Sequence, residues 1–213
     1  MTKKERALHI IEGLEKKYPS AICSLNYTTP HELLIATQLS AQCTDARVNI
    51  VAGPLFDRYR SVDDFAEADY EELCEYIRST GFYRNKAKNI IACCKRMREV
   101  YGGEVPDNME DLLTLAGTGR KTANLVLGDI FGKPAIVVDT HCIRITNRMG
   151  LTSNKDPEKI EEDLKKILPP EKSSDFCHRI VLHGREVCTA RKAKCEDCIV
   201  SEYCKKVGIE KKK

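Results

Sequence analysis

The chain contains no run of apolar residues approaching the roughly 18 that a membrane-spanning helix requires, so a soluble, non-membrane protein is expected. Its start, Met1-Thr2-Lys3-Lys4-Glu5-Arg6, runs into Leu8-His9-Ile10-Ile11 without the apolar core or cleavage site of a secretory signal, and a cytoplasmic location is expected. No repeat of fixed period and no low-complexity segment stand out apart from Lys211-Lys212-Lys213, read as a solvated tail. Strong charge of one sign is also missing: 35 Lys and Arg against 32 Asp and Glu leave a formal charge of +3, too little by itself to indicate a nucleic-acid partner. An apolar share of 42% and a charged share of 31% are those of an ordinary globular protein, and 213 residues suit one large domain or two small interleaved lobes.

Strand-like sequence is scarce as well. Only Ala135-Ile136-Val137-Val138 has the composition of a strand, and four residues cannot make a sheet alone. Helical periodicity fills the rest: Leu8, Ile11 and Leu14 repeat at three-residue spacing, and Leu33-Leu34-Ile35 with Leu39 marks a second buried face. Further helices are predicted over Val48 to Arg58, Tyr70 to Arg78, Asn85 to Tyr101, Met109 to Ala116, Lys121 to Phe131, His141 to Met149, Pro157 to Leu168 and Phe176 to Val187. The fold class is therefore all-α. Charge is unevenly placed along it: Asp63, Asp64, Glu67, Asp69, Glu71, Glu72 and Glu75 come with no base among them, then Arg78, Arg84, Lys86, Lys88, Lys95, Arg96 and Arg98 with no acid. Such runs read most simply as solvated helix faces.

Without a secretory signal, eleven cysteines should be reduced thiols or metal ligands rather than disulfides. Cys23, Cys43, Cys74, Cys93, Cys94, Cys142 and Cys177 are scattered and read as small core residues. The other four, Cys188, Cys195, Cys198 and Cys204, follow the pattern C-x6-C-x2-C-x5-C in one short loop, which calls for a metal centre. Zinc usually takes two separated C-x2-C pairs, and here only Cys195 and Cys198 form one; four thiolates in one wrapping loop also suit an iron–sulfur cluster. On spacing alone both stay open. Arg191, Lys192 and Lys194 make the loop between the first two ligands basic.

Two more segments carry chemistry. Leu112 to Leu127 reads as helix, Gly117-Thr118-Gly119 turn, helix. Glycines that accept positive φ and carry no side chain let backbone N–H groups at a helix start approach an anion such as a DNA phosphate, and Arg120 and Lys121 add positive charge. A plain structural turn explains the glycines too. Lys121 is expected in the first turn of its helix, partly buried. Asp139 ends the apolar stretch before Thr140-His141 and reads as an N-cap.

The hairpin resembles the helix-hairpin-helix of DNA glycosylases, whose pattern is leucine, proline, glycine, an apolar residue, glycine and a basic or polar pair. Ala116 stands where proline is usual and Thr118 where an apolar residue is usual, which implies a less rigid turn and a less well packed hairpin. Val138-Asp139-Thr140-His141, the four-cysteine spacing, Leu39-Ser40-Ala41-Gln42-Cys43-Thr44-Asp45 and Leu182-His183-Gly184-Arg185 fall in the order and spacing of the same proteins. Almost end to end, the chain resembles the endonuclease III family.

The resemblance implies a two-lobed fold. Residues 22–132 would form a helical barrel containing the hairpin at about 112–131, and residues 1–21 with 133–213 a discontinuous cluster lobe, with the active-site cleft between them. It implies an N-glycosylase for damaged pyrimidines in double-stranded DNA that also acts as a lyase at abasic sites, Lys121 being the nucleophile and Asp139 its carboxylate partner. Cys188, Cys195, Cys198 and Cys204 would hold a [4Fe–4S] cluster. DNA would be met by Gly117, Gly119, Arg120, Arg191, Lys192 and Lys194, by Gln42 and Phe82 inserting into the base stack, and by His141 and Arg144, with Arg148 at the same helical spacing. Phe82 stands where leucine is usual. A core aromatic is its plain alternative, while Gly81, Arg84, Lys86 and Lys88 point to an exposed loop beside phosphates. A monomer is expected. Two rivals are an adenine-mismatch-type monofunctional glycosylase, which lacks the hairpin lysine and carries a further C-terminal domain, and a non-enzymatic iron–sulfur DNA-binding protein.

Overall fold

The computed structural model describes residues 1–209, so the Lys211-Lys212-Lys213 tail lies outside the described residues. The chain divides into two compact units, one of residues 23–132 and one of residues 1–22 with the chain from 133 onward. Among the described residues the regular structure is helical, and the only β-type pairing is an isolated antiparallel bridge between Cys188 and Ala193. Ala135 to Val138 are buried as an apolar stretch should be, but they have no strand to pair with and run as irregular chain.

Helix α1 (Lys3–Lys17) opens the discontinuous unit with a capping box, in which Thr2 accepts from the Glu5 N–H and Glu5 from the Thr2 N–H. The chain then enters the continuous unit with α2 (Pro30–Leu39), α3 (Asp45–Arg58), α4 (Val62–Ala66), α5 (Tyr70–Ile77), a 3-10 turn at Arg78–Thr80, α6 (Tyr83–Tyr101), α7 (Met109–Leu113) and α8 (Arg120–Asp129). Helix α2 is the centre of this unit. Leu33, Leu34, Ile35, Ala36 and Leu39 are all fully buried, so the helix is enclosed on every side rather than on the one face its leucines suggest.

Helix α4 escapes the periodicity because five residues are too few to show a repeat; a Ser61–Asp64 capping box starts it, and Val62, Phe65 and Ala66 bury it. Helix α7 stops short of Ala116 because its backbone tightens to i−3 bonds, the Thr114 N–H donating to the Asp111 carbonyl at 3.0 Å and the Leu115 N–H to the Leu112 carbonyl at 3.2 Å. The acids and bases of the two runs lie on solvated helix surface as expected, apart from half-buried Glu72 and Arg98 and buried Lys86, and an ion pair joins the runs. Helices α4 and α5 pack along α6, and Arg98 meets Glu67 at 2.5 Å.

Past residue 132 the discontinuous unit resumes with α9 (Thr140–Met149), α10 (Pro157–Lys165) and α11 (Ser173–Glu186), followed by the four-cysteine loop. Its core gathers Ile10, Leu14, Ile145, Met149, Ile160, Leu164, Phe176, Ile180 and Val200. Arg6 on α1 donates to the Gly150 carbonyl at 2.6 Å, and Tyr18 donates to Glu186 at 2.9 Å, tying the start of the chain to α9 and α11. A side chain at Gly13 would run into Val200, so this glycine lets the cysteine loop seat against α1.

Candidate functional site

The hairpin lies in the continuous unit, where α7, the turn and α8 are held from below by Gln38 of α2. The Gln38 side chain is buried; its Nε2 donates to the Ala116 carbonyl at 3.1 Å and to the Thr118 hydroxyl at 3.4 Å. Thr118 is buried as well, so its hydroxyl is a partner for the prop, and the packing loss expected of a polar residue there is offset. Gly117 has φ +74°, and a Cβ on it would stand 3.0 Å from both the Gln38 amide and Asn89. Gly119 differs from the expectation: at φ −95° it is extended backbone, and no atom lies within 4 Å of a Cβ built on it.

Gly119 is the N-cap of α8, and no side chain caps that helix. Its bare, exposed position leaves room for a group from outside to reach the helix start, where N–H groups and the positive end of the dipole favour an anion. Arg120 is half-buried, and Lys121, the second residue of α8, is exposed rather than partly buried as expected.

Elsewhere in the continuous unit two non-glycine residues hold left-handed backbone, Gln42 at φ +54° and Phe82 at φ +50°. An L-residue there costs roughly 1–2 kcal/mol, and such strain gathers where function needs a particular side-chain direction. Both are exposed, Phe82 by 64%, so it is not a core aromatic. Arg84 and Lys88 beside it are exposed, but Lys86 is not: it is only 6% exposed and cannot stand beside phosphates as the sequence suggested.

In the discontinuous unit, Asp139 caps α9, its Oδ1 accepting from the Cys142 N–H at 2.7 Å. That bond uses one of its two carboxylate oxygens, and the residue is half-buried. His141 packs against Gly184 of α11, where any side chain would collide with its ring. Arg144 and Arg148 turn toward the cysteine loop rather than outward as expected for DNA contacts. Arg144 donates to the carbonyls of Gly184 and Cys188 at 3.3 and 3.1 Å, and Arg148 to those of Thr189 and Ala190 at 2.7 and 3.0 Å. Periodicity placed these two arginines on one helix face; what that face meets depends on a loop some 40 residues later.

The four cysteines line one open cavity with Met149, His183 and Val187, and none is in a disulfide. Several donors point at the sulfurs: Arg148 reaches Cys188 Sγ at 3.4 Å, and the Lys206 N–H reaches Cys204 Sγ at 3.4 Å. Burial, and then the neighbouring thiols, push the Cys198 and Cys204 thiols up. A metal centre reverses that cost, since it takes thiolates as ligands. Four thiols around one cavity fit a cluster that gives each iron its own ligand. Arg191, Lys192 and Lys194 are exposed on the loop between the first two cysteines, where Thr189 accepts from the Lys192 N–H at 3.2 Å and donates to the Lys192 carbonyl.

Residues 35–170 match the model of the HhH-GPD superfamily of base excision DNA repair proteins. An endonuclease III of Escherichia coli is 41% identical over 94% of this chain and 95% of its own. A solved structure of a trapped endonuclease III–DNA covalent intermediate superposes with a TM-score of 0.90 at 42% identity, covering 97% of each chain. The endonuclease III of Synechocystis is 51% identical over 95% of this chain and 93% of its own. With that likeness sustained over more than nine tenths of both chains, the chain belongs to the endonuclease III family.

Proposed function

We propose that the protein removes damaged pyrimidines from double-stranded DNA and cleaves the strand at the resulting abasic site, both through Lys121. Membership of the family makes it a DNA glycosylase and abasic-site lyase of base excision repair. The observation that carries the assignment to Lys121 is its position. An exposed primary amine stands one residue past an uncapped helix start that a bare glycine leaves open.

In this reading the first turn of α8 binds a phosphate without reading sequence. The Lys121 Nζ lone pair attacks C1′ of the damaged nucleotide, the glycosidic C–N bond breaks, and the base leaves with a proton. Once the sugar ring opens, Nζ and C1′ form a Schiff base. Loss of a C2′ proton then expels the 3′-phosphate by β-elimination, and water hydrolyses the imine to free the lysine. Asp139 takes up the proton released by the attacking amine and stabilises positive charge on the sugar.

Extruding the nucleotide costs a few kcal/mol, which damage reduces; Gln42 and Phe82, strained and exposed, fill the gap it leaves. The cysteine loop presents Arg191, Lys192 and Lys194 to the backbone. Cys188, Cys195, Cys198 and Cys204 hold a [4Fe–4S] cluster, which when bound supplies four Fe–S bonds that pin this loop. The protein acts as a monomer.

Borohydride trapping tests the assignment. Wild-type protein should become covalently linked to a duplex containing an abasic site, and Lys121→Ala should not. Asp139→Asn should trap and excise more slowly by roughly 10²-fold or more, the usual scale for removing a general base. Trapping by Lys121→Ala at the wild-type rate would overturn it.

A further inference from the structure

Lys86 lies in the first turns of α6, in a basic stretch, yet its ammonium is directed inward. Its Nζ donates to the Leu39 carbonyl at 2.7 Å and to the Thr80 carbonyl at 2.9 Å. Neither carbonyl belongs to the lysine's own helix. Leu39 ends α2, three residues before Gln42; Thr80 ends the 3-10 turn, two residues before Phe82. Between each anchored carbonyl and the strained residue beyond it the chain is short. Ser40 and Cys43 close a turn through the bond from the Cys43 N–H to the Ser40 carbonyl at 3.1 Å, while Gly81, at φ +71°, reverses the chain into Phe82.

A single buried cation thus joins the two turns that carry the exposed left-handed residues. We propose that Lys86 is the positioning residue of the stack-filling pair, a clamp that fixes the spacing and direction of Gln42 relative to Phe82. A lysine in such a place is costly to bury, and burial pushes its amine below the ordinary lysine range. An apolar residue would fill the space without that penalty but would leave both carbonyls without this donor. Carbonyl oxygens accept strongly from an ammonium, and charge-assisted hydrogen bonds are about twice as strong as neutral ones. The cost is therefore coupled to orientation: two loops far apart in sequence are held by one atom, before DNA arrives.

The inference rests on the proposed reading of Gln42 and Phe82, and the experiment separates the two. Single-turnover excision of an oxidised pyrimidine from a duplex is compared with cleavage at an abasic site in a single strand, for wild type, Lys86→Met, Phe82→Ala and the double variant. A 2-aminopurine beside the lesion reports unstacking. Lys86→Met should lower duplex excision more than single-strand cleavage, by roughly tenfold, the scale of losing hydrogen bonds to a charged group, and should lower the fluorescence rise. In the Phe82→Ala background it should cost much less, because the residue it positions is gone.

Equal losses on both substrates, or the same loss in both backgrounds, would mean that Lys86 serves only the stability of the fold and would overturn the proposal. If Phe82→Ala itself leaves excision and unstacking unchanged, the reading of the stack-filling pair fails first. Should Lys86→Met not fold, Lys86→Gln, which keeps a neutral donor, takes its place with the same expectations at smaller size.

Discussion

Only one glycine of the Gly117-Thr118-Gly119 turn is needed by the fold. Gly117 holds left-handed backbone against the Gln38 amide, so Gly117→Ala should lower stability by roughly 1–2 kcal/mol from backbone strain alone, with further loss as Gln38 moves. Gly119 has ordinary extended backbone and open space around it, so Gly119→Ala should cost less than about 1 kcal/mol, while obstructing whatever approaches the start of α8. Urea denaturation and titration with abasic-site DNA check the pair: the first variant should show the larger loss of stability, the second the larger loss of binding for its stability. Equal stability losses would contradict the different roles. Both glycines were visible in the sequence. That they differ was not, because the difference lies in a glutamine prop 78 residues before the atom it holds.

At the scale of elements, the loop between Cys188 and Cys195 is a basic strap with internal support. Arg148 holds the carbonyls of Thr189 and Ala190, and the bridge between Cys188 and Ala193 closes its base, leaving Arg191, Lys192 and Lys194 exposed. If the strap tracks a DNA backbone, replacing each of these three by Ala should reduce the slope of log K against log salt by about 0.9 for every phosphate that is no longer neutralised. Arg148→Ala should instead loosen the strap while leaving its three charges in place. It should therefore weaken binding with little change in slope, and affinity measured at several salt concentrations distinguishes the two. An Arg148→Ala slope as reduced as that of Lys192→Ala would show that this arginine meets phosphate after all. The family resemblance puts Arg144 and Arg148 among the DNA contacts and helical spacing puts them on one face; the loop that this face meets is remote in sequence.

Over the whole molecule, the four thiols line one cavity, and closing that loop on a cluster should contribute to the stability of the unit it ends. Purified protein should be brown, with broad absorption near ~400 nm; Cys204→Ala should lose that band and melt at a lower temperature by several degrees, as a loss of a few kcal/mol does. A Cys204→Ala variant with unchanged colour would remove that cysteine from the ligand set. Across the surface, Arg98 meets Glu67 and Arg58 meets Glu72 at 2.7 Å, so two acids of the acidic run are paired there by arginines.

The all-helical class, the hairpin, the N-capping aspartate and the cysteine spacing were legible in the sequence because each is a local property. A helix repeat, a glycine turn or four ligands in one loop is complete within a few turns of chain. Tertiary structure alone decided that Phe82 stands outside, that Lys86 lies inside with partners 6 and 47 residues away, that Gln38 props the hairpin and that Arg144 faces inward. Burial is a relation between segments, and no stretch of sequence contains the segment that will cover it.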